Sequence, residues 1–179
     1  MHRLFVGFTL PAAIRARLLA LMGGIPGARW QDDAQLHLTL RFIGPVDRHA
    51  AEDVALALAQ IRHPPIEIAL SGIGQFHSRG RPNAVWAGVT PHAPLAALHK
   101  KIDQAIVRTG LAAEGRAYLP HITLARMNAQ SGAADKFLAA QVGLTSPVFA
   151  LDHFTLFEST LGGEGARYDV IERYRLQAV

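Results

Sequence analysis

Two short motifs, each a histidine followed two positions later by a threonine, are the part of this sequence best suited to chemistry. They are His37 with Thr39 and His121 with Thr123, and the histidines lie 84 residues apart. A neutral imidazole accepts a proton near pH 7 and an imidazolium donates one, so two histidines flanking a phosphate can catalyse in-line displacement without a metal. The motifs therefore predict His37 and His121 as an acid-base pair.

The threonines have a predictable place beside the histidines. Side chains two residues apart on a strand share a face, so each hydroxyl can hydrogen-bond a non-bridging oxygen of the same phosphate. A single such motif would carry little information, because alternating strands with one outward histidine are common. Two copies, His-Leu-Thr-Leu and His-Ile-Thr-Leu, are far more specific. We expect Thr39 and Thr123 to bind phosphate.

Each motif has a further candidate five residues after its histidine, Phe42 in the first copy and Arg126 in the second. Both side chains can stack on a base, and Arg126 can also contact phosphate. Strict alternation points the fifth residue away from the histidine, so a bulge or a strand end is required. Phe42 has an alternative place on the buried face with Leu38 and Leu40. By the same alternation, Arg41 is expected on the histidine face, as a site residue or a solvated charge.

The elements around the motifs predict an α+β fold. Alternating or buried apolar patterns predict strands, and apolar residues at helical spacing, with Pro11 opening the first helix and Asp47 capping the second, predict helices. The expected strands cover about 4–8, 36–43, 66–70, 84–89, 120–126, 148–157 and 168–176, and the expected helices about 11–22, 47–61, 94–109 and 132–141.

The order of these elements repeats weakly between the two halves of the chain. In each half a strand and a helix precede a strand with a His-x-Thr motif. A duplicated unit would relate the motif strands by a pseudo-twofold axis and bring both histidines to one central groove. We therefore expect residues 1–179 to form a single bilobal domain.

The charge balance fits an anionic ligand, or equally a general compositional bias toward Arg and Ala, and the composition excludes thiol chemistry. The chain has 18 Lys+Arg against 14 Asp+Glu, a formal net charge of +4, and no cysteine. Disulfides, cysteine-ligated zinc and thiol nucleophiles are therefore excluded. No apolar run approaches the roughly 20 residues that span a bilayer, so we expect a cytoplasmic protein with no membrane contact.

Six segments spread over nearly the whole chain follow a known pattern: Arg3–Gly7, Leu36–Gly44, Gly74–Phe76, Val85–Val89, Pro120–Arg126 and Phe157–Ser159. In these segments the chain resembles the two-histidine phosphoesterases, specifically the bacterial RNA 2′,3′-cyclic phosphodiesterases, also called 2′-5′ RNA ligases. The resemblance implies two pseudo-symmetric lobes of antiparallel sheet with outer helices around a central groove.

The resemblance also implies an activity with assigned roles. His37 would donate a proton to the departing 3′ oxygen and His121 would activate water, giving a 2′-phosphomonoester, although either histidine could take either role. Arg126 and Phe42 would bind substrate. No cofactor or metal is expected, the partners would be RNA or nucleotides with 2′,3′-cyclic phosphate ends, and the chain would act as a monomer without an obligate protein partner. The reverse reaction would form a 2′-5′ linkage.

Other interpretations remain open from the residues alone. The histidines could ligate a metal, although the motif strands offer no third ligand. The chain could be a non-catalytic RNA-binding module, or act on small cyclic nucleotides or sugar phosphates. A basic turn at residues 78–83 could guide a polynucleotide or be a solvated hairpin tip. Trp30 and Trp86 are expected in the core, and none of the other histidines is expected to be catalytic: His2, His49, His63, His77, His92, His99 and His153.

Overall fold

The computed structural model describes residues 1–178, which form nine strands and four helices. The strands are β1 (His2–Thr9), β2 (Arg29–Trp30), β3 (His37–Val46), β4 (Ile66–Ser78), β5 (Arg81–Thr90), β6 (His121–Arg126), β7 (Phe149–Leu151), β8 (His153–Gly162) and β9 (Gly165–Arg175). The helices are α1 (Ala12–Leu21), α2 (Arg48–Leu58), α3 (Ala93–Arg108) and α4 (Asp135–Gln141).

The strands form two antiparallel sheets with the orders β3-β1-β8-β9 and β2-β6-β5-β4-β7. The two sheets contain matching sets of three strands. In one sheet the motif strand β3 pairs with β1, and β1 pairs with β8. In the other the motif strand β6 pairs with β5, and β5 pairs with β4. Apolar side chains from both sheets and from all four helices join one buried cluster. The α+β class predicted from the sequence is confirmed.

The helices begin and end close to the predicted limits, for identifiable local reasons. The Asp47 carboxylate accepts a hydrogen bond from the Ala50 amide at 2.8 Å and caps α2 as predicted, although the helix ends at Leu58 rather than near Ile61. Pro11 is the N-cap of α1 rather than its first helical residue. Helix α3 buries Leu95, Leu98, Ile102, Ala105 and Ile106. The apolar spacing thus located the helices more accurately than their ends.

Two strand predictions need correction. Residues 148–157 were expected to form one strand, but Asp152 divides the segment between β7 in one sheet and β8 in the other. The two-residue strand β2 was not expected, because two residues carry no periodicity; it pairs with the end of β6. In both cases the strand is defined by the strand it pairs with, and that pairing is not visible in a local sequence pattern.

The bilobal organisation of residues 1–179 as one domain stays a prediction, and its last residue lies outside the described part of the chain. Among the described helices, none combines the length and the apolar composition that a membrane crossing requires.

Candidate active site

The two motif strands contact each other although they belong to different sheets. Strand β3 is an edge of the four-stranded sheet, and β6 lies between β2 and β5 in the other. A side chain just before β6 reaches across to β3, where the Tyr118 hydroxyl donates to the Thr39 carbonyl at 3.1 Å. The fold therefore brings the two His-x-Thr motifs to one site.

Each motif strand contains a β-bulge at the same place, three residues after its histidine. In β3, Thr39 pairs with Gly7 and Arg41 with Val6, which leaves Leu40 as the extra residue. In β6, Thr123 pairs with Trp86 and Ala125 with Val85, which leaves Leu124 as the extra residue. A bulge shifts the alternation by one residue, so the fifth residue returns to the histidine face.

The bulges decide where Arg126, Phe42 and Arg41 lie. Arg126 is exposed, and Phe42 is 56% exposed with its ring 6.0 Å from that of Phe5, so the alternative of a core aromatic beside Leu38 is wrong. The expectation that Arg41 lies on the histidine face is also wrong. Its side chain is buried, donates to Asp103 at 2.7 Å and to the Ala112 carbonyl at 2.6 Å, and lies behind the strand.

Each motif histidine is held by a hydrogen bond of the same kind, from Nδ1 to a backbone carbonyl two residues earlier. His37 Nδ1 lies 2.7 Å from the Gln35 carbonyl oxygen, and His121 Nδ1 lies 2.7 Å from the Leu119 carbonyl oxygen. A carbonyl only accepts, so Nδ1 carries the hydrogen in each ring and the neutral tautomer leaves a lone pair on Nε2. Two imidazoles are thus oriented alike, each with one nitrogen available for proton transfer.

The surroundings keep both imidazoles neutral near pH 7. The pKa of His37 is lowered from 6.5 to about 4, mainly by burial and also by the charges of Arg126 and His121, against the hydrogen bond to Gln35, which raises it. Burial also lowers the pKa of His121, as does Arg126, against the hydrogen bond to Leu119. Arg126 acts on both rings, which indicates that its guanidinium lies beside the pair.

An aromatic cluster surrounds His37. Its ring centroid lies 4.9 Å from that of Phe5, 6.5 Å from Phe157 and 5.0 Å from Tyr168, the last edge-on. Beside it is a cavity of about 220 Å³ whose walls include Arg15, Phe157 and Tyr168. Burial raises the pKa of the Tyr168 phenol, while Arg126 and Arg29 lower it. This apolar wall explains the desolvation of His37.

His121 has an equivalent wall built from the other sheet. Phe76 lies edge-on at 4.8 Å and Trp86 at 6.0 Å. Phe76 pairs with Ala84 as Phe157 pairs with Phe5, so the two phenylalanines occupy corresponding positions. The Trp86 indole covers Gly74, where a Cβ would clash with the ring. Trp86 was expected in the core; it is half-buried beside the histidine, whereas Trp30 does pack against the core.

Two side chains outside the sheet hold the bulged part of β3. The Tyr118 hydroxyl bonds the Thr39 carbonyl, as described above, and His99 Nδ1 bonds the Leu40 carbonyl at 2.7 Å. The rings of Tyr118 and His99 stack at 4.3 Å with 4° between their planes. An edge strand has outer carbonyls without strand partners, and these donors satisfy two of them. The sequence contains no local signal for this support.

The remaining predicted positions complete the site. Thr39 and Thr123 are half-buried, each on the motif strand of its histidine and two residues after it. Residues 1–178 contain no cluster of three or more His, Cys, Asp or Glu side chains that could hold a metal ion. The available chemistry consists of two neutral imidazoles, two hydroxyls and one exposed guanidinium around a groove. Such a set suits a phosphodiester anion.

Two sheets that each present a His-x-Thr strand to a shared site define the class of the two-histidine phosphoesterases. The family model of the 2′-5′ RNA ligase superfamily matches residues 12–163, and the chain belongs to that superfamily.

Relatives and solved structures agree with this placement. A protein of Aeropyrum pernix named RNA 2′,3′-cyclic phosphodiesterase is 35% identical over 105 residues, which cover 58% of this chain and 59% of the relative, less than two thirds of its length. An Escherichia coli protein of the same name is 29% identical over 183 residues, covering 98% and 97%. The crystal structure of E. coli LigT complexed with 3′-AMP has a TM-score of 0.79 and 27% identity over 98% of both chains.

Proposed function

We propose that the protein is an RNA 2′,3′-cyclic phosphodiesterase that hydrolyses cyclic phosphate ends to 2′-phosphomonoesters without a metal. The observation that carries the proposal is the pair of histidines, His37 and His121, each fixed through Nδ1 to a backbone carbonyl and each beside Arg126. The names of the relatives support the substrate class.

The reaction requires one proton to be removed and one to be supplied. His121 Nε2 takes a proton from water while the water oxygen bonds to phosphorus. The bond between phosphorus and the 3′ oxygen breaks, and His37 Nε2 gives that oxygen a proton. Thr39 and Thr123 hydrogen-bond the non-bridging oxygens, and Arg126 stabilises their growing negative charge.

The lowered pKa of His37 limits when it can act as the acid. In the free protein His37 is neutral at pH 7, because its pKa is about 4. A bound phosphodiester places a negative charge beside the ring and raises its pKa, so His37 takes up its proton together with the substrate. With the roles exchanged, His121 would carry that proton.

The proposal also covers the base contact, the binding partners, the location and the reverse reaction. Exposed Phe42 stacks on the base at one wall of the groove. The partners are RNA or nucleotides with 2′,3′-cyclic phosphate ends, and the protein acts as a cytoplasmic monomer without an obligate protein partner. Under high RNA concentration a 5′-hydroxyl can replace water and form a 2′-5′ linkage.

The proposal is tested by incubating the protein with a nucleoside 2′,3′-cyclic phosphate in excess chelator and identifying the product by ³¹P NMR. We expect the 2′-monophosphate alone, at an unchanged rate after chelation. Loss of turnover with chelator, restored by a divalent metal, would show a metalloenzyme. Binding of RNA without turnover of mononucleotide or oligonucleotide substrates would show a binding module.

Tyr118→Phe is expected to lower both stability and turnover. Loss of the hydroxyl leaves the Thr39 carbonyl without its donor, which costs about 1 kcal/mol and lowers Tm by roughly 2–4 °C. Because Thr39 follows His37 on the same strand, we also expect a severalfold fall in kcat.

Tyr174→Phe is the matched control for Tyr118→Phe. The Tyr174 hydroxyl also donates to a carbonyl, that of Ala55, at 3.1 Å, but outside the groove. Thermal denaturation should show similar losses for both variants, whereas only Tyr118→Phe should change kcat. Equal kcat values in the two variants would show that Tyr118 has a structural role alone.

A further inference from the structure

A second, open cavity lies beside the tip of the β4–β5 hairpin. Its volume is about 460 Å³, and Arg79, Arg81 and Asn83 from the hairpin face Met127 and Asn128 from the segment after β6. The backbone joins the two sides, since the Met127 amide donates to the Asn83 carbonyl at 2.9 Å. We call this cavity the hairpin pocket. It is formed by the hairpin together with the segment after β6, so the basic turn is not an isolated surface feature.

The hairpin pocket carries positive charge that the protein does not neutralise. Arg79 and Arg81 are exposed, and among the described residues neither guanidinium forms an ion pair with a carboxylate. Arg126 is also exposed and lies at the end of β6, between His121 and the pocket. The unpaired guanidinium groups therefore form a path from the catalytic histidines to the pocket, and guanidinium is well suited to binding phosphate.

A polar group in the wall of the pocket also lacks a partner. The side-chain oxygen of Asn83 is buried and has no hydrogen-bond partner among the described residues. An oxygen without exposed surface is not in contact with a ligand in the pocket, so the Asn83 side chain forms part of the wall and the arginines supply the binding groups.

The hairpin pocket is lined by residues other than the four motif residues. Phe76, whose ring lies beside that of His121, precedes the lining residue Ser78 by two positions, and Arg126 precedes Met127 by one, so the pocket begins next to the groove and extends away from it. The chain on the 5′ side of a cyclic phosphate end continues beyond the reacting nucleotide and is the part of an RNA substrate that can enter this pocket.

We propose that the hairpin pocket is a subsite for the RNA chain upstream of the cyclic phosphate. Arg79 and Arg81, both exposed, bind backbone phosphates of that chain. The inference rests on the proposed function and adds that the protein prefers oligonucleotide ends to mononucleotides.

The test compares uridine 2′,3′-cyclic phosphate with a hexanucleotide that ends in the same group. In the double variant Arg79→Ala/Arg81→Ala we expect KM for the hexanucleotide to rise about tenfold at low salt, as loss of two exposed charge contacts would give. The plot of log(kcat/KM) against log salt should become shallower by about 1.4, because each single-strand phosphate contact contributes about 0.7. Both kinetic constants for the mononucleotide should stay unchanged.

Arg48→Ala/Arg108→Ala is the matched control, because it removes the same charge from exposed positions on helices α2 and α3. It should leave both substrates unaffected. An equal change for the two substrates, or none for the hexanucleotide, would overturn the subsite. If the wild type turned over neither substrate, the proposed function would fail instead. Fluorescence anisotropy with a labelled hexanucleotide would then still decide the subsite, which requires weaker binding in the hairpin variant than in the control.

Discussion

Replacement of either motif histidine by asparagine is expected to lower kcat for a nucleoside 2′,3′-cyclic phosphate by about 10²- to 10⁴-fold, the usual contribution of a positioned proton-transfer group. The asparagine amide can still donate to the Gln35 or Leu119 carbonyl in place of Nδ1, but nothing replaces the titrating Nε2. His37→Asn and His121→Asn should therefore fold normally and lose turnover. Steady-state kinetics and circular dichroism measure the two properties.

His63→Asn is the matched control for these variants. His63 is buried and its Nδ1 lies 2.8 Å from the Pro64 carbonyl, so the substitution changes a similar hydrogen bond away from the groove. Its kcat should equal that of the wild type. A motif variant that kept more than a tenth of the wild-type kcat would exclude that histidine from the proton transfers.

A substrate that needs no acid separates the two roles. The p-nitrophenolate group leaves from a phosphodiester without protonation. His37→Asn should therefore recover much of its activity on such a substrate, while His121→Asn should remain inactive because water still needs a base. The opposite pattern would exchange the roles.

Acidification from pH 7 to pH 4 is expected to destabilise the protein by about 3 kcal/mol through His37 alone. The folded pKa of about 4 lies below the unfolded value of 6.5. Between pH 4 and pH 6.5 this histidine is mainly protonated in the unfolded chain and mainly neutral in the folded protein. The stability is therefore fully present above pH 6.5 and is lost as the pH falls through the folded pKa. Urea denaturation across this range measures the loss.

His37→Asn should flatten most of this pH dependence. In this variant His121 still makes the protein less stable as the pH falls, because its pKa is also lowered. Asp103 acts in a different range, since its pKa lies below 3.8. An unchanged slope in His37→Asn between pH 4 and pH 6.5 would contradict the burial of a neutral imidazole at this position.

Local patterns predicted most of the elements because helix and strand periodicities are properties of neighbouring residues. The four helices and the expected strands other than 148–157 were found close to their predicted places. The sequence also identified His37, Thr39, His121 and Thr123, since a repeated motif is visible without a structure. Their assignment as catalytic and phosphate-binding residues stays a prediction.

Alternation failed at the two bulges. The extra residues Leu40 and Leu124 are ordinary strand leucines, and nothing in their neighbours shows that the partner strand skips them. The bulge reverses the places of Arg41 and Phe42, so the buried residue is the charged one. The sequence raised the need for a bulge but could not show that both strands contain one.

What the sequence by itself determined is the chemistry: two imidazoles and two hydroxyls on strands of alternating pattern, in a chain without cysteine and with excess arginine. Only the tertiary structure decided their environment. The lowered pKa of His37 comes from burial near Phe5, Phe157 and Tyr168, on strands β1, β8 and β9. Desolvation depends on atoms brought together from distant parts of the chain, whereas residue type and spacing are local properties.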